Sequence, residues 1–218
     1  MIHHDVLIVG SGVMGVALAS SINSDELSVG IIESNPQPSL SRRHLSINQK
    51  SLNFLKDLDV WKEIEPNAYP YQKIKVWDQE GSGYIEFDSQ EAGIDLLGHI
   101  VSEGQIQKSL IKKLETKKVS FYWNNKLLDI KNNSSDIICT TSNDQISCKF
   151  LIGCDGINSS VRDLGKFKSR SWSYNQTAIV ANLKSPNIDS TIRQTFTKIG
   201  PLAPVSYTHL TLPTICSV

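Results

Sequence analysis

Three glycines and one acid carry the first chemical signal in this chain of 218 residues. Gly10, Gly12 and Gly15 follow the continuous apolar run Val6 to Val9, and Glu33 closes the next apolar run, 18 residues past the last glycine. Each glycine in that order has a mechanical task. Gly10 makes a tight turn, Gly12 lets a pyrophosphate approach the backbone, and Gly15 lets a helix pack close to the strand. The start of that helix offers free N–H groups and a positive dipole end to phosphate. An acid at the position of Glu33 accepts hydrogen bonds from ribose hydroxyls and disfavours a 2′-phosphate. Met14 in the turn and Ser34 beside the acid join these residues as candidate contacts. The spacing points to a bound dinucleotide, without separating a flavin from a nicotinamide.

A second signal is the string Leu151-Ile-Gly-Cys-Asp155-Gly156-Ile-Asn-Ser-Ser-Val-Arg162. A strand ending here delivers a carboxylate, Asp155, and a residue without a side chain, Gly156. Asn158 or Ser159 then caps a helix that carries Arg162 in its first turn. Asp-Gly pairs are common in plain turns, so the weight lies on the longer string Asp-Gly-x-Asn-Ser-x-Val-Arg.

The elements that must position these residues are legible from their periods. Val6 to Val9 reads as a strand buried on both faces. Val16 to Ser20 continues as an apolar helix, and Ser28 to Ile32 forms the second strand. Arg42 to Trp61 reads as an amphipathic helix with Leu45, Leu52, Leu55 and Leu58 on its apolar face. Strands follow around 73–88, a helix at 104–118, a strand meander over 119–150 with a polar turn at Asn132-Asn-Ser-Ser, a strand at 150–155, and strands after 173.

Composition narrows the classes. Lys+Arg and Asp+Glu balance at 22 each, so no global field steers nucleic acid toward the chain. The lysines at 112, 113, 117 and 118 form a local basic run that reads as a solvated helix face, with a membrane or partner role as the alternative. The four cysteines, 139, 148, 154 and 216, have no metal-ligand spacing. Cys139 and Cys148 face each other across a hairpin in one reading and are reduced core thiols in the favoured one. The run from Val6 to Ala19 is too short and too interrupted to span a bilayer. It also lacks the basic lead of a signal peptide. A soluble cytoplasmic setting is expected.

With these residues in hand, the chain resembles the p-hydroxybenzoate-hydroxylase-like FAD-dependent monooxygenases. In that family an arginine at a helix start contacts the flavin dinucleotide; Arg43 aligns best with it and Arg42 lies close behind. Val76-Trp77 through Phe87-Asp88, Leu97-Gly98-His99-Ile100 and Tyr174-Asn-Gln176-Thr-Ala-Ile-Val-Ala-Asn182 resemble the ubiquinone-biosynthesis branch, whose members hydroxylate the ring of polyprenylated phenols. The resemblance places Gln107 toward the flavin from the start of a helix. It places Asp155 and Gly156 near the pyrophosphate and ribose, on the path of the nicotinamide donor.

What the resemblance implies is an α/β fold: a Rossmann-like three-layer FAD/NAD(P)-binding domain interleaved with a β-rich substrate domain. The expected division is residues 1–65 and 98–170 for the FAD domain, 66–97 and 171–204 for the substrate domain, and 205–218 as a tail. The implied cofactor is FAD, with NAD(P)H as electron donor, and the implied substrates are a polyprenylated phenol and O2. Association with other ubiquinone-biosynthesis proteins and a location peripheral to the inner membrane come with the same resemblance. The flavin carries the chemistry, so no catalytic side chain is assigned; His99 and His44 are read as structural. A halogenase or prenyl reductase on the same fold is the rival enzyme class, against which Trp77 and Tyr174 argue. A nucleotide-binding fragment without turnover is the rival non-enzyme. The family pattern runs to about Pro204, and its later Gly-Asp motif has no counterpart in the 218 residues. The tail Val205 to Val218 reads as translated sequencing adaptor, with a genuine edge strand as the alternative.

Overall fold

The computed structural model describes residues 1–36, 41, 43–181, 183–184, 189–207, 210–212 and 214–217, so Arg42 lies outside the described residues. The chain passes twice through each of two compact units, Met1–Arg42 with Glu103–Arg170 and Arg43–Ser102 with Ser171–Val218. β1 (Ile2–Val9), α1 (Val13–Ser21) and β2 (Val29–Ile32) open the first unit. The second unit then supplies β3 (His44–Asn48), α2 (Gln49–Asp57), α3 (Trp61–Ile64), β4 (Tyr69–Tyr71), β5 (Lys73–Asp78), β6 (Tyr84–Asp88) and β7 (Gly98–Ser102). The first unit is completed by α4 (Glu103–Glu115), β8 (Val119–Tyr122), β9 (Leu127–Asn132), β10 (Ile137–Thr141), β11 (Gln145–Gly153) and α5 (Ser160–Leu164). The second is completed by β12 (Thr177–Val180), β13 (Leu183–Lys184), β14 (Thr191–Thr197), β15 (Gly200–Leu202), β16 (Val205–Tyr207), β17 (Leu210–Leu212) and β18 (Thr214–Ser217).

The first unit is three-layered. Its sheet runs β8-β2-β1-β11-β10-β9, parallel from β8 to β11 and antiparallel over the last three strands. Alternate residues of β1 serve opposite faces. Leu7 and Val9 join Ile32, Ile146 and Val161 of α5 in one buried cluster. Val6 and Ile8, in register with Val29 and Ile31, point to the other face, and α1 packs on β1, β2 and α4. Leu7, Ile8 and Ile31 are fully buried, and each such side chain contributes about 1.5–3 kcal/mol of transfer free energy. Burial on both faces explains why β1 reads as an unbroken apolar run.

The second unit holds two sheets of three strands, β3-β7-β4 and β13-β17-β16, and a larger one ordered β12-β18-β15-β14-β5-β6. Two sequence expectations are corrected. The helix expected from Arg42 begins only at Gln49: residues 44–48 form β3, antiparallel to β7. Asn48 accepts the Ser51 N–H at 3.0 Å and starts α2 there, so Leu45 belongs to the strand and only Leu52 and Leu55 form the buried helix face. Val119–Tyr122 is no part of the meander; it returns from α4 to lie parallel to β2 at the far edge of the sheet. By contacts, residues 43–65 and 98–102 group with the second unit, because β7 lies between β3 and β4 and ties them together.

Candidate nucleotide site

The two glycine signals meet because β1 and β11 are parallel neighbours, Val9 opposite Gly153. The Cys154 N–H donates to the Val9 carbonyl at 2.7 Å, and the Gly10 N–H donates to Ile32 at 2.8 Å. Gly10 turns with φ +102°, and a Cβ there would sit 2.5 Å from the Cys154 carbonyl oxygen. A Cβ on Gly15 would overlap the Gly10 carbonyl oxygen. These two glycines are therefore required by the protein's own backbone. Gly12 is different: a Cβ there meets nothing within 4 Å. It is the N-cap of α1 and no side chain caps that helix, so the first-turn N–H groups are available to an anion. A loop that is tight at Gly10 and Gly15 and open at Gly12 fits a pyrophosphate laid against the start of α1.

Glu33 lies beside the loop. Its Oε2 accepts the Ser11 N–H at 2.9 Å and the Ser11 hydroxyl at 2.8 Å. Its Oε1 accepts the Asn35 N–H at 2.9 Å, the Asn35 side-chain amide at 2.8 Å and the Ser34 hydroxyl at 3.3 Å. Burial pushes this carboxyl up, but the hydrogen bonds from Ser11 and Asn35 outweigh it and hold the pKa below the usual carboxylate value. The buried Gln107 amide donates to the Ser11 carbonyl at 2.8 Å. Ser11 is thus gripped on its N–H, hydroxyl and carbonyl. Sequence reasoning missed it; the signal was a hydroxyl between two glycines at a position where bare backbone suffices for the turn.

The second fingerprint caps its own helix. Asp155 accepts the Ser159 hydroxyl at 2.5 Å, the Ser160 N–H at 2.5 Å and the Val161 N–H at 3.3 Å. Of the two candidate caps it is Ser159 that serves, accepting the Arg162 N–H at 3.1 Å. The Arg162 guanidinium donates to the Ile157 carbonyl at 2.7 Å and to Asp163 at 2.9 Å. Asp155 and Arg162 therefore shape the loop around Gly156, whose φ is +80° and whose missing Cβ faces open space.

The remaining candidates divide by unit. Met14, 73% exposed in the first turn of α1, and Ser34 lie in the first unit with the cradle. Arg43 opens the second unit, just ahead of β3. His99 packs edge-on against Trp61 with ring centroids 5.1 Å apart. In the lysine run, the Lys117 ammonium donates to the carbonyls of Ser20 at 2.5 Å and Ile22 at 3.3 Å, closing the end of α1. Lys118 pairs with Asp25 at 3.2 Å. Cys139, Cys148 and Cys154 are free thiols. Among the described residues no cluster of three or more His, Cys, Asp or Glu is placed to hold a metal, and no helix is long and apolar enough to cross a membrane.

Solved structures share the fold. The p-nitrophenol 4-monooxygenase PnpA of Pseudomonas putida DLL-E4 superposes with a TM-score of 0.85 at 16% identity, over 100% of this chain and 58% of that one. A geranylgeranyl bacteriochlorophyll reductase-like protein of Thermoplasma acidophilum gives 0.77 at 17% identity, over 100% and 57%. In sequence, the 3-demethoxyubiquinol 3-hydroxylase of Escherichia coli K12 is 30% identical over 91% of this chain and 53% of its own length. The mitochondrial ubiquinone biosynthesis monooxygenase COQ6 of Homo sapiens is 29% identical over 92% and 48%. The chain spans about half the length of the curated relatives it matches. Residues 3–208 match the profile of the FAD binding domain family, and the chain belongs to that family.

Proposed function

We propose that this chain is the nucleotide-holding part of an FAD-dependent monooxygenase that hydroxylates the aromatic ring of a polyprenylated phenol in ubiquinone biosynthesis, with O2 and NAD(P)H. The carrying observation is the pairing of a cradle open at Gly12 with sequence relatives that are ubiquinone-biosynthesis hydroxylases over more than nine-tenths of the chain. The fold alone does not choose, since a reductase-like protein shares it. Bound FAD would supply the redox chemistry; the chain's own residues hold and orient it. Gly10, Gly12, Met14 and Gly15 with the start of α1 receive the pyrophosphate, and Glu33 and Ser34 receive the adenosine ribose. Asp155, Gly156 and Arg162 shape the adjoining loop. Gln107 supports the cradle from α4, and Arg42 and Arg43 are assigned to the flavin side by the family resemblance.

Peripheral association with the inner membrane on the cytoplasmic side belongs to the same proposal, along with contacts to other ubiquinone-biosynthesis proteins. On the first unit, exposed Lys166 and Lys168 flank Phe167, which is 67% exposed, and this supports it. Basic side chains beside an exposed apolar ring suit an anionic lipid surface. Titration of the purified chain with FAD, read by quenching of flavin fluorescence, tests the cradle; absence of saturable quenching would overturn it. Phenol-dependent NAD(P)H oxidation by the longer protein tests the hydroxylase, and flavin reduction that is indifferent to a polyprenylated phenol would favour the reductase class.

A further inference from the structure

Both oxygens of the Glu33 carboxylate are bonded within the protein, and their donors differ in kind. Oε2 takes the Ser11 N–H and hydroxyl on the buried side, where Ser11 is 2% exposed and is itself held by Gln107. Oε1 takes the N–H and side-chain amide of Asn35 and the Ser34 hydroxyl, both exposed residues. A carboxylate offers about four lone-pair sites, and five donors already converge on this one. A ribose hydroxyl reaches Glu33 only by replacing one of them. The two backbone N–H groups cannot swing away, and the Ser11 hydroxyl is enclosed. The replaceable donors are the Asn35 amide and the more distant Ser34 hydroxyl.

We propose that the two oxygens of Glu33 divide the work. Oε2, through Ser11 and Gln107, positions the phosphate loop, so both are positioning residues. Oε1 receives the ribose, and the Asn35 amide is a competitor that the nucleotide displaces. Asn35 thereby lowers nucleotide affinity, while Ser11 and Gln107 raise it. The proposal rests on the nucleotide reading of the cradle and deepens it.

The test is binding of FAD, and of ADP and 2′,3′-dideoxy-ADP, to the full 218-residue chain by calorimetry, with thermal unfolding of each variant alongside. Asn35→Ala is expected to tighten FAD and ADP by about threefold to tenfold, the worth of one released hydrogen bond. The gain should vanish with the dideoxy ligand. Ser11→Ala and Gln107→Met are expected to weaken FAD by about tenfold, and if Ser11→Ala does not fold, Gln107→Met carries that arm. A merely structural role would give losses of one sign that follow the unfolding temperature. Unchanged or weaker binding by Asn35→Ala, or a gain that persists with the dideoxy ligand, overturns the division of Glu33. Failure of the unsubstituted chain to bind any of the three ligands removes the nucleotide reading and the proposal with it.

Discussion

At the scale of single residues, the three glycines of one loop are not equivalent, and the difference separates folding from binding. Gly15→Val drives a side chain into the Gly10 carbonyl, a backbone atom that cannot yield. It is expected to cost about 3 kcal/mol or more of stability, read as a lowered midpoint in urea. Gly12→Val points into open space and is expected to leave that midpoint within about 0.5 kcal/mol of the parent. It fills the volume of the pyrophosphate, however, so FAD binding should be abolished. Retained flavin binding by a folded Gly12→Val protein would place the phosphates elsewhere. Glu33→Gln turns one acceptor oxygen into a donor that must face Ser11 or Asn35. Tm should therefore fall, and FAD should bind about tenfold to a hundredfold more weakly in a flavin titration.

Among the elements, much was legible because local pattern and tertiary demand agreed. The glycine loop, its flanking strand and helix, and the strand into Asp155 are each specified by a few adjacent residues, and they stand where the spacing predicts. The residues 42–61 misled because Leu45, Leu52, Leu55 and Leu58 happen to fit a helical stripe. The stretch His44-Leu-Ser-Ile-Asn also fits a strand, and pairing with β7, fifty or more residues away in sequence, decides between the two. No local period reports that pairing. Asn48 marks the junction, since its side chain caps α2. Asn48→Ala is expected to cost about 1 kcal/mol in thermal unfolding, with Asn48→Asp close to neutral; equal losses for both would mean that the cap is not what starts the helix. The tie between Ser11 and Gln107 was hidden for the same reason. Their bond joins residues 96 apart, and only the packing of α4 on α1 brings them together.

For the whole molecule, one buried and two half-buried histidines set a pH limit. His4 on β1, His44 on β3 and His99 on β7 all have pKa values pushed below the ordinary value, in each case chiefly by burial. The fold therefore prefers the neutral imidazole, and the unfolded chain binds more protons once the pH falls below about 6.5. The stability associated with these residues is fully present above that pH and is lost as the pH drops toward their folded values. Unfolding temperatures measured from pH 8 down to pH 5 should decline below about 6.5, and His4→Gln should flatten part of the decline. A flat profile would show that these rings titrate freely.

The division into two units bears on what the 218 residues can do unaided. In the second unit β6 is the outer strand of its sheet, and Tyr84, Ile85 and Phe87 on it are 70%, 58% and 53% exposed. An edge strand with apolar side chains open to water invites other chains to pair with it. The relatives are about twice as long as the stretch matched here, and the Gly-Asp element expected from the family resemblance is not among these residues. The purified chain is accordingly expected to bind an apolar dye such as ANS strongly and to self-associate with rising concentration. It should bind FAD through the first unit yet show no phenol-dependent NAD(P)H oxidation. Replacing Ile85 and Phe87 with Thr keeps strand propensity and should reduce both dye binding and association without changing FAD affinity. If dye binding and association persist in that variant, β6 is not the sticky edge. Turnover by the 218-residue chain would show that its two units already hold everything that hydroxylation requires.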